Sequence, residues 1–291
     1  MKTKICSVTS TMLLNDGRQL GYAEYGDPDG HPVFFFHGTP GSRLQAADFD
    51  DAAQAKHCRF FGIDRSGMGL SSAKKQHTLL SWADDIRELA DHLNINQFSI
   101  IAHSGGAPFA MACAYAIPER ISSVAIVSGL APTTMPEAQE GLNRGMRIIN
   151  VLIRNIPGMA WLLMQVHRSL LSKPDRFKRT LQQLPEPDRI ILENPEQWNS
   201  MISAATETFR QGVAGPAREF QLILREWGFD LSKITCPVTI WQGRLDKQVP
   251  VSHAEIYKRL LPNSKLKLSD EDAHTSMLYH HVEEVFDSVR P

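Results

Sequence analysis

The sequence predicts an α/β fold: a mostly parallel sheet of about eight strands flanked by helices, with a helical segment inserted late in the sheet. Three observations carry that prediction. Apolar runs of strand length alternate with segments of helical length. The first third opens instead with short β-runs separated by turn residues. Between Ala131 and Lys233 the alternation gives way to helix-forming sequence broken by prolines. With 291 residues and 42% hydrophobic content the chain is long enough to bury a substantial core.

Taken in order, TMLL, the turn Asn15-Asp16-Gly17, QLGYAEYG, the turn DPDG and VFFF give an antiparallel start to the sheet. RFFGI, FSIIA, SVAIVS, VTIWQ and KLKLS then follow, separated by helix-length segments, which implies parallel strands with crossover helices. Over Leu79 to Leu93, Trp82, Ile86, Leu89 and Leu93 recur at spacings of four, three and four, one apolar stripe on a helix covering one sheet face. The strand pattern resumes at Cys236-Pro237-Val238, so the insertion returns to the same sheet. The expected organisation is a core of residues 1–130 and 234–291 with a helical insertion at 131–233.

Composition excludes several classes of partner. Thirty-one basic against 32 acidic residues give a net charge of −1, so no long-range field favours nucleic acid or an anionic membrane. No stretch approaches the roughly 20 apolar residues that cross a bilayer; LIRNIPGMAWLLMQV carries Arg154, Asn155 and Pro157 inside it. The opening MKTKICSVTSTMLLNDG is interrupted by polar residues before any signal-peptide core forms, so a cytoplasmic location is expected. Cys6, Cys58, Cys113 and Cys236 lack the spacing of a zinc site or a disulfide framework and are expected as reduced, mostly buried thiols. The partner implied is a small-molecule substrate, and the sequence is silent on oligomeric state.

The chemically informative stretch is FSIIAHSGGAP, residues 98–108. Parallel sheets bind ligands beyond the carboxyl ends of their strands, and Ser104 falls there, on a sharp turn into the run FAMACAYAI. By itself a serine before a helix reads as a cap. A nucleophile on such a turn needs small residues two before and two after it, and Ala102 and Gly106 meet that requirement.

Ala102-His103-Ser104-Gly105-Gly106 resembles the nucleophile turn of the α/β-hydrolase superfamily, with Ala102 where a first glycine usually stands. Three further stretches join the resemblance, which runs from about Gly21 to the C-terminus outside the insertion. Gly243-Arg244-Leu245-Asp246-Lys247-Gln248-Val249-Pro250 is similar to the loop bearing the orienting acid, so Asp246 takes that role, although such an aspartate can also simply bond its own turn. The segment SVAIVSGL, where some relatives carry the acid, offers only Ser128 and Gly129. In DEDAHTSMLYHHVEEVF, His274 stands at the place of the family's base, with Ala273 for its usual preceding glycine; His280 and His281 fit surface or packing roles, and His103 is expected to point away. FFFHGTPGSR resembles the oxyanion loop, which implies the backbone N–H groups of Thr39 and Gly105 as donors, with Gly38 and Gly41 as backbone hinges. GIDRSGMGLSS resembles a structural segment beside the site, with Asp64 and Arg65 expected as a loop-stabilising ion pair.

The resemblance implies the α/β-hydrolase fold, a cap formed by the insertion, and a serine hydrolase with Ser104, His274 and Asp246 as its triad. It implies no metal or organic cofactor. A serine nucleophile argues against the dehalogenases and epoxide hydrolases of this fold, which use aspartate. A carboxylesterase acting on small or medium esters is the first expectation. A peptidase or amidase of the proline-iminopeptidase kind, holding a free amino terminus on cap residues such as Glu207 or Glu219, is an alternative, as is a carbon–carbon bond hydrolase. A ligand-binding or signalling protein that turns over slowly or not at all is the alternative of a different class. Met146, Met159, Trp161, Met164, Trp198, Met201, Phe209 and Trp227 of the insertion read as packing, and its arginines as a solvated surface.

Overall fold

The computed structural model describes residues 8–173, 178–179 and 181–290. Cys6 and Pro174 lie outside the described residues. Strands β1 (Val8–Leu13), β2 (Gln19–Gly26), β3 (His31–Phe36), β4 (Cys58–Ile63), β5 (Phe98–His103), β6 (Ile121–Val127), β7 (Val238–Gly243) and β8 (Ser264–Ser269) form one sheet. Their spatial order is β1-β2-β4-β3-β5-β6-β7-β8. β2 runs antiparallel to both β1 and β4, and every later pairing is parallel. The helices are α1 (Asp50–Ala55), α2 (Leu79–His92) and α3 (Ala107–Ala116), then α4 (Arg144–Asn155), α5 (Met159–Leu171), α6 (Glu186–Glu193), α7 (Pro195–Thr208) and α8 (Ala214–Ile223) between β6 and β7. α9 (Val251–Leu260) and α10 (Ser276–Asp287) complete the chain.

The period-two alternation of strand side chains divides the apolar runs between two faces. Phe34, Phe36, Ile100, Ala102, Val124, Ile126 and Ile240 point to the face covered by α2, α3 and α9. Val33, Phe35, Ile101, Ala125, Val127 and Trp241 point to the other, covered by α1 and α10. Both faces are therefore dry, which is why the central strands are almost unbroken apolar runs.

Helix α2 starts at a capping box in which Thr78 accepts from the Ser81 amide and the Ser81 side chain accepts from the Thr78 amide. Its stripe residues Trp82, Ile86 and Leu89 are buried, with Leu93 partly buried just beyond its end. Helix α3 is apolar around its whole circumference and is buried from Ala107 to Ala114, so the turn before it rests on a rigid support. In the insertion Met164, Phe209 and Trp227 are buried in the same cluster as one sheet face, whereas Trp161 is 49% exposed. No helix among the described residues is long and apolar enough to cross a membrane.

Candidate active site

Parallel pairing aligns the ends of β3 and β5, with Phe36 opposite Ala102, so the loops after these strands meet at one edge of the sheet. Ser104 follows β5 directly and has φ of +53°, a left-handed conformation that costs a non-glycine residue about 1–3 kcal/mol. The small-residue requirement is steric: a methyl on Gly106 would overlap the Phe36 carbonyl oxygen, and one on Gly105 would overlap the Thr39 hydroxyl. A Gly105 methyl would also lie 3.3 Å from the Thr39 amide nitrogen, so the residues carrying the two expected oxyanion donors are in close contact.

His274 and Asp246 arrive from the loops after β8 and β7. His274 Nδ1 lies 2.7 Å from Asp246 Oδ2, and Nε2 lies 3.0 Å from Ser104 Oγ. A carboxylate only accepts, so Nδ1 carries the hydrogen and Nε2 is left to accept from the serine hydroxyl. The other carboxylate oxygen of Asp246 accepts from the Gln248 and Val249 amides at 2.8 and 2.9 Å. Burial alone would lower the proton affinity of His274, but the charge and hydrogen bond of Asp246, with the charge of Asp188 behind them, raise its pKa above the ordinary value of 6.5.

The loop after β3, which holds the expected oxyanion donor Thr39, is wrapped around a buried ion pair. Arg65 donates to the His37 and Gly38 carbonyls at 2.7 and 3.1 Å and holds Glu219 of α8 through two bonds of 2.6 and 2.7 Å. The Thr39 hydroxyl donates to the same carboxylate at 2.6 Å. Asp64 and Arg65 thus do not pair with each other as expected. Asp64 accepts from Arg43 at 2.7 Å and Arg65 takes Glu219, because the two neighbours on the chain face separate buried partners. Neither Gly38 nor Gly41 has a positive φ, and the room around Gly41 is limited by the Gly38 carbonyl oxygen, which would lie 2.7 Å from an added methyl.

His103, expected to diverge, instead packs against His274 with ring centroids 5.0 Å apart. Its Nε2 donates to the His274 carbonyl at 3.3 Å, while Gln45 donates to its Nδ1 at 3.3 Å and accepts from the Gly38 amide at 3.2 Å. Burial, reinforced by the neighbouring His274, pushes His103 down to about 3, so it remains a neutral spacer. His280 and His281 bind Asp272 near the surface, away from Ser104.

Sequence reasoning missed three residues that hold the site. Ser128 donates to the His274 carbonyl at 3.0 Å, and Asp188 of α6 accepts from the His274 amide at 3.1 Å. Gln45 links His103 to the oxyanion loop. No local signal marks them, since their histidine partners His103 and His274 lie 58 to 146 positions along the chain. Above Ser104 and His274 is a cavity of about 340 Å³ whose apolar wall includes Leu184, Leu192, Met201, Ala204 and Ala205, all from the segment between β6 and β7. Asp48 also lines it, hydrogen-bonded by the Tyr279 hydroxyl.

The chain is 23% identical over 274 residues to a Bacillus subtilis (strain 168) protein provisionally named 2-succinyl-6-hydroxy-2,4-cyclohexadiene-1-carboxylate synthase, covering 92% of each. It is 23% identical over 258 residues to a proline iminopeptidase of Heyndrickxia coagulans, covering 84% of each. An esterase from Exiguobacterium antarcticum superposes with a TM-score of 0.68 at 19% identity, covering 97% of each chain. The sequence model of the alpha/beta hydrolase fold family matches residues 31–281, and with the sheet order and strand directions described above this places the chain in that family of generally hydrolytic enzymes.

Proposed function

We propose that the protein is a serine hydrolase acting on small or medium carboxylic esters through an acyl-enzyme. The observation that carries this reading is the continuous relay from Asp246 through His274 to Ser104, with bonds of 2.7 and 3.0 Å, opening on an apolar cavity. In the proposed mechanism Ser104 Oγ attacks the ester carbonyl while His274 Nε2 takes its proton. Asp246 holds the imidazole and stabilises the imidazolium. The oxyanion develops between the Thr39 and Gly105 amides, where fixed donors act without reorganisation. His274 then protonates the leaving alcohol, and a water activated by the same base releases the acid.

Residues 131–233 serve in this reading as a cap over the site. Leu192, Met201, Ala204 and Ala205 receive the apolar part of the substrate. An aminopeptidase would need a carboxylate in the cap for the substrate's ammonium group. Glu207 is instead bound by Arg43 at 2.7 Å and Glu219 by Arg65 at 2.6 Å, and neither lines the cavity, which favours the ester.

The test is labelling by a fluorophosphonate beside Ser104→Ala, followed by p-nitrophenyl esters and prolyl anilides. Labelling lost in the variant and turnover of the esters are expected. Turnover confined to the anilides would replace the esterase reading with a peptidase, and an unlabelled, folded wild-type protein would remove the hydrolase reading.

A further inference from the structure

Asp188 is the third residue of α6, fully buried, and its carboxylate enters the loop that carries His274. Oδ2 accepts from the His274 amide at 3.1 Å, and Oδ1 accepts from the Thr275 and Ser276 amides at 2.9 and 2.8 Å. Thr275 and Ser276 open α10, so these donors are among the orphan N–H groups of a helix start, where a negative charge is favoured. No Lys or Arg pairs with Asp188 among the described residues; its charge is met by backbone dipoles alone. The carbonyl of His274, in the next peptide unit, is also fixed, because Ser128 Oγ and His103 Nε2 both donate to it. His274 is therefore gripped at its amide from the inserted helices and at its carbonyl from the sheet.

From this geometry we infer that Asp188 is a positioning residue for His274, through which docking of α6 on the start of α10 sets the orientation of the base and its readiness to take a proton. The inference deepens the hydrolase reading and rests on it. Asp188 touches no reacting atom and acts through the backbone and charge of its neighbour. Moving α6 away would strip three amides of one acceptor and remove one of the two carboxylates that favour the imidazolium. The groups facing His274 are Asp246 from the loop after β7, Asp188 from α6, and neutral His103 from the end of β5, with Ser104 at Nε2. Asp48 and Tyr279 line the same cavity and pair with each other.

The experiment compares the full chain with Asp188→Asn, which keeps an acceptor oxygen but loses the charge. The first readout is NMR titration of His274 with labelled histidine; the second is the pH profile of kcat/KM and the plateau kcat on a p-nitrophenyl ester. The variant is expected to bind a proton at His274 about threefold or more less tightly, moving the midpoint and the acid limb to lower pH. Plateau kcat is expected to fall about tenfold with KM within about twofold of wild type, since a misplaced base acts on the transition state more than on binding. A folded variant with an unmoved His274 midpoint and unchanged kcat overturns the inference. Loss of folding in both Asp188→Asn and Asp188→Ser would assign the residue to stability alone and also overturn it. The NMR midpoint needs no turnover, so failure of the hydrolase reading would show separately as absent fluorophosphonate labelling of the wild type.

Discussion

Asp246 and His274 meet at 2.7 Å, yet the chain holds them in opposite ways. Asp246 is fixed from within its own loop: its carboxylate accepts from Gln248 and Val249, two and three positions on, and from the Gln242 side chain four positions back. The backbone of His274 is fixed by Asp188, Ser128 and His103, which lie 86, 146 and 171 positions away. The oxyanion loop resembles the second case, with Thr39 bonded to Glu219 at a separation of 180. The acid is thus placed by turn chemistry that any correctly folded β7 loop would supply. The loops of His274 and Thr39 each take one anchor, Asp188 and Glu219, from helices inserted between β6 and β7.

That contrast can be broken most sharply at Asp246 itself. Asp246→Asn is expected to lower kcat by about three to four orders of magnitude, through loss of base orientation, while leaving the melting temperature within a few degrees of wild type. Near-normal turnover would show that His274 is held by its distant partners alone. Next in size is Glu219→Gln, which leaves the fully buried Arg65 without its charge partner and should cost about 3–5 kcal/mol in urea unfolding. A loss below about 1 kcal/mol would mean that the oxyanion loop is held without the inserted helices. Gly106→Ala tests the core side of the site. Its methyl would collide with the Phe36 carbonyl, so a loss of about 1–3 kcal/mol is expected.

The pH profile sharpens the same comparison at the base. In the proposed mechanism His274 works when neutral, and its raised pKa means that kcat/KM should fall as pH drops through a midpoint above 6.5. With His103 down at about 3, that limb should fit a single proton, and a midpoint below 6.5 would contradict the carboxylate environment described. The smallest effect belongs to the outer face of the insertion. Trp161→Gln, at a side chain half in solvent, should change stability by no more than about 0.5 kcal/mol and leave kcat unaltered.

Much of the fold was legible because its signals are local. Each of the eight strands overlaps a strand-like run read from the sequence, and the α2 stripe is buried where its spacing required. The meeting of Ser104, Asp246 and His274 was foreseeable for the same reason, since each sits in a short loop whose neighbours restrict what it can be. Asp64 and Arg65 show where such reading stops. Adjacent opposite charges suggested a local pair, but their side chains leave the chain towards different buried partners, Arg43 and Glu219. His103 shows the same limit, because alternation along a turn predicts divergence while the loop of His274 folds back over it.

By itself the sequence determined the alternating elements, the sharp turn that small residues permit at Ser104, and the loop chemistry that holds Asp246. These follow from backbone sterics and from hydrogen bonds spanning a few residues. Only the tertiary structure decided which distant groups fix the other half of the site: Asp188 at the His274 amide, Ser128 at its carbonyl, and Glu219 beneath Thr39. A buried carboxylate can be satisfied by any donors that the packing brings within about 3 Å, and no spacing along the chain encodes which ones those are.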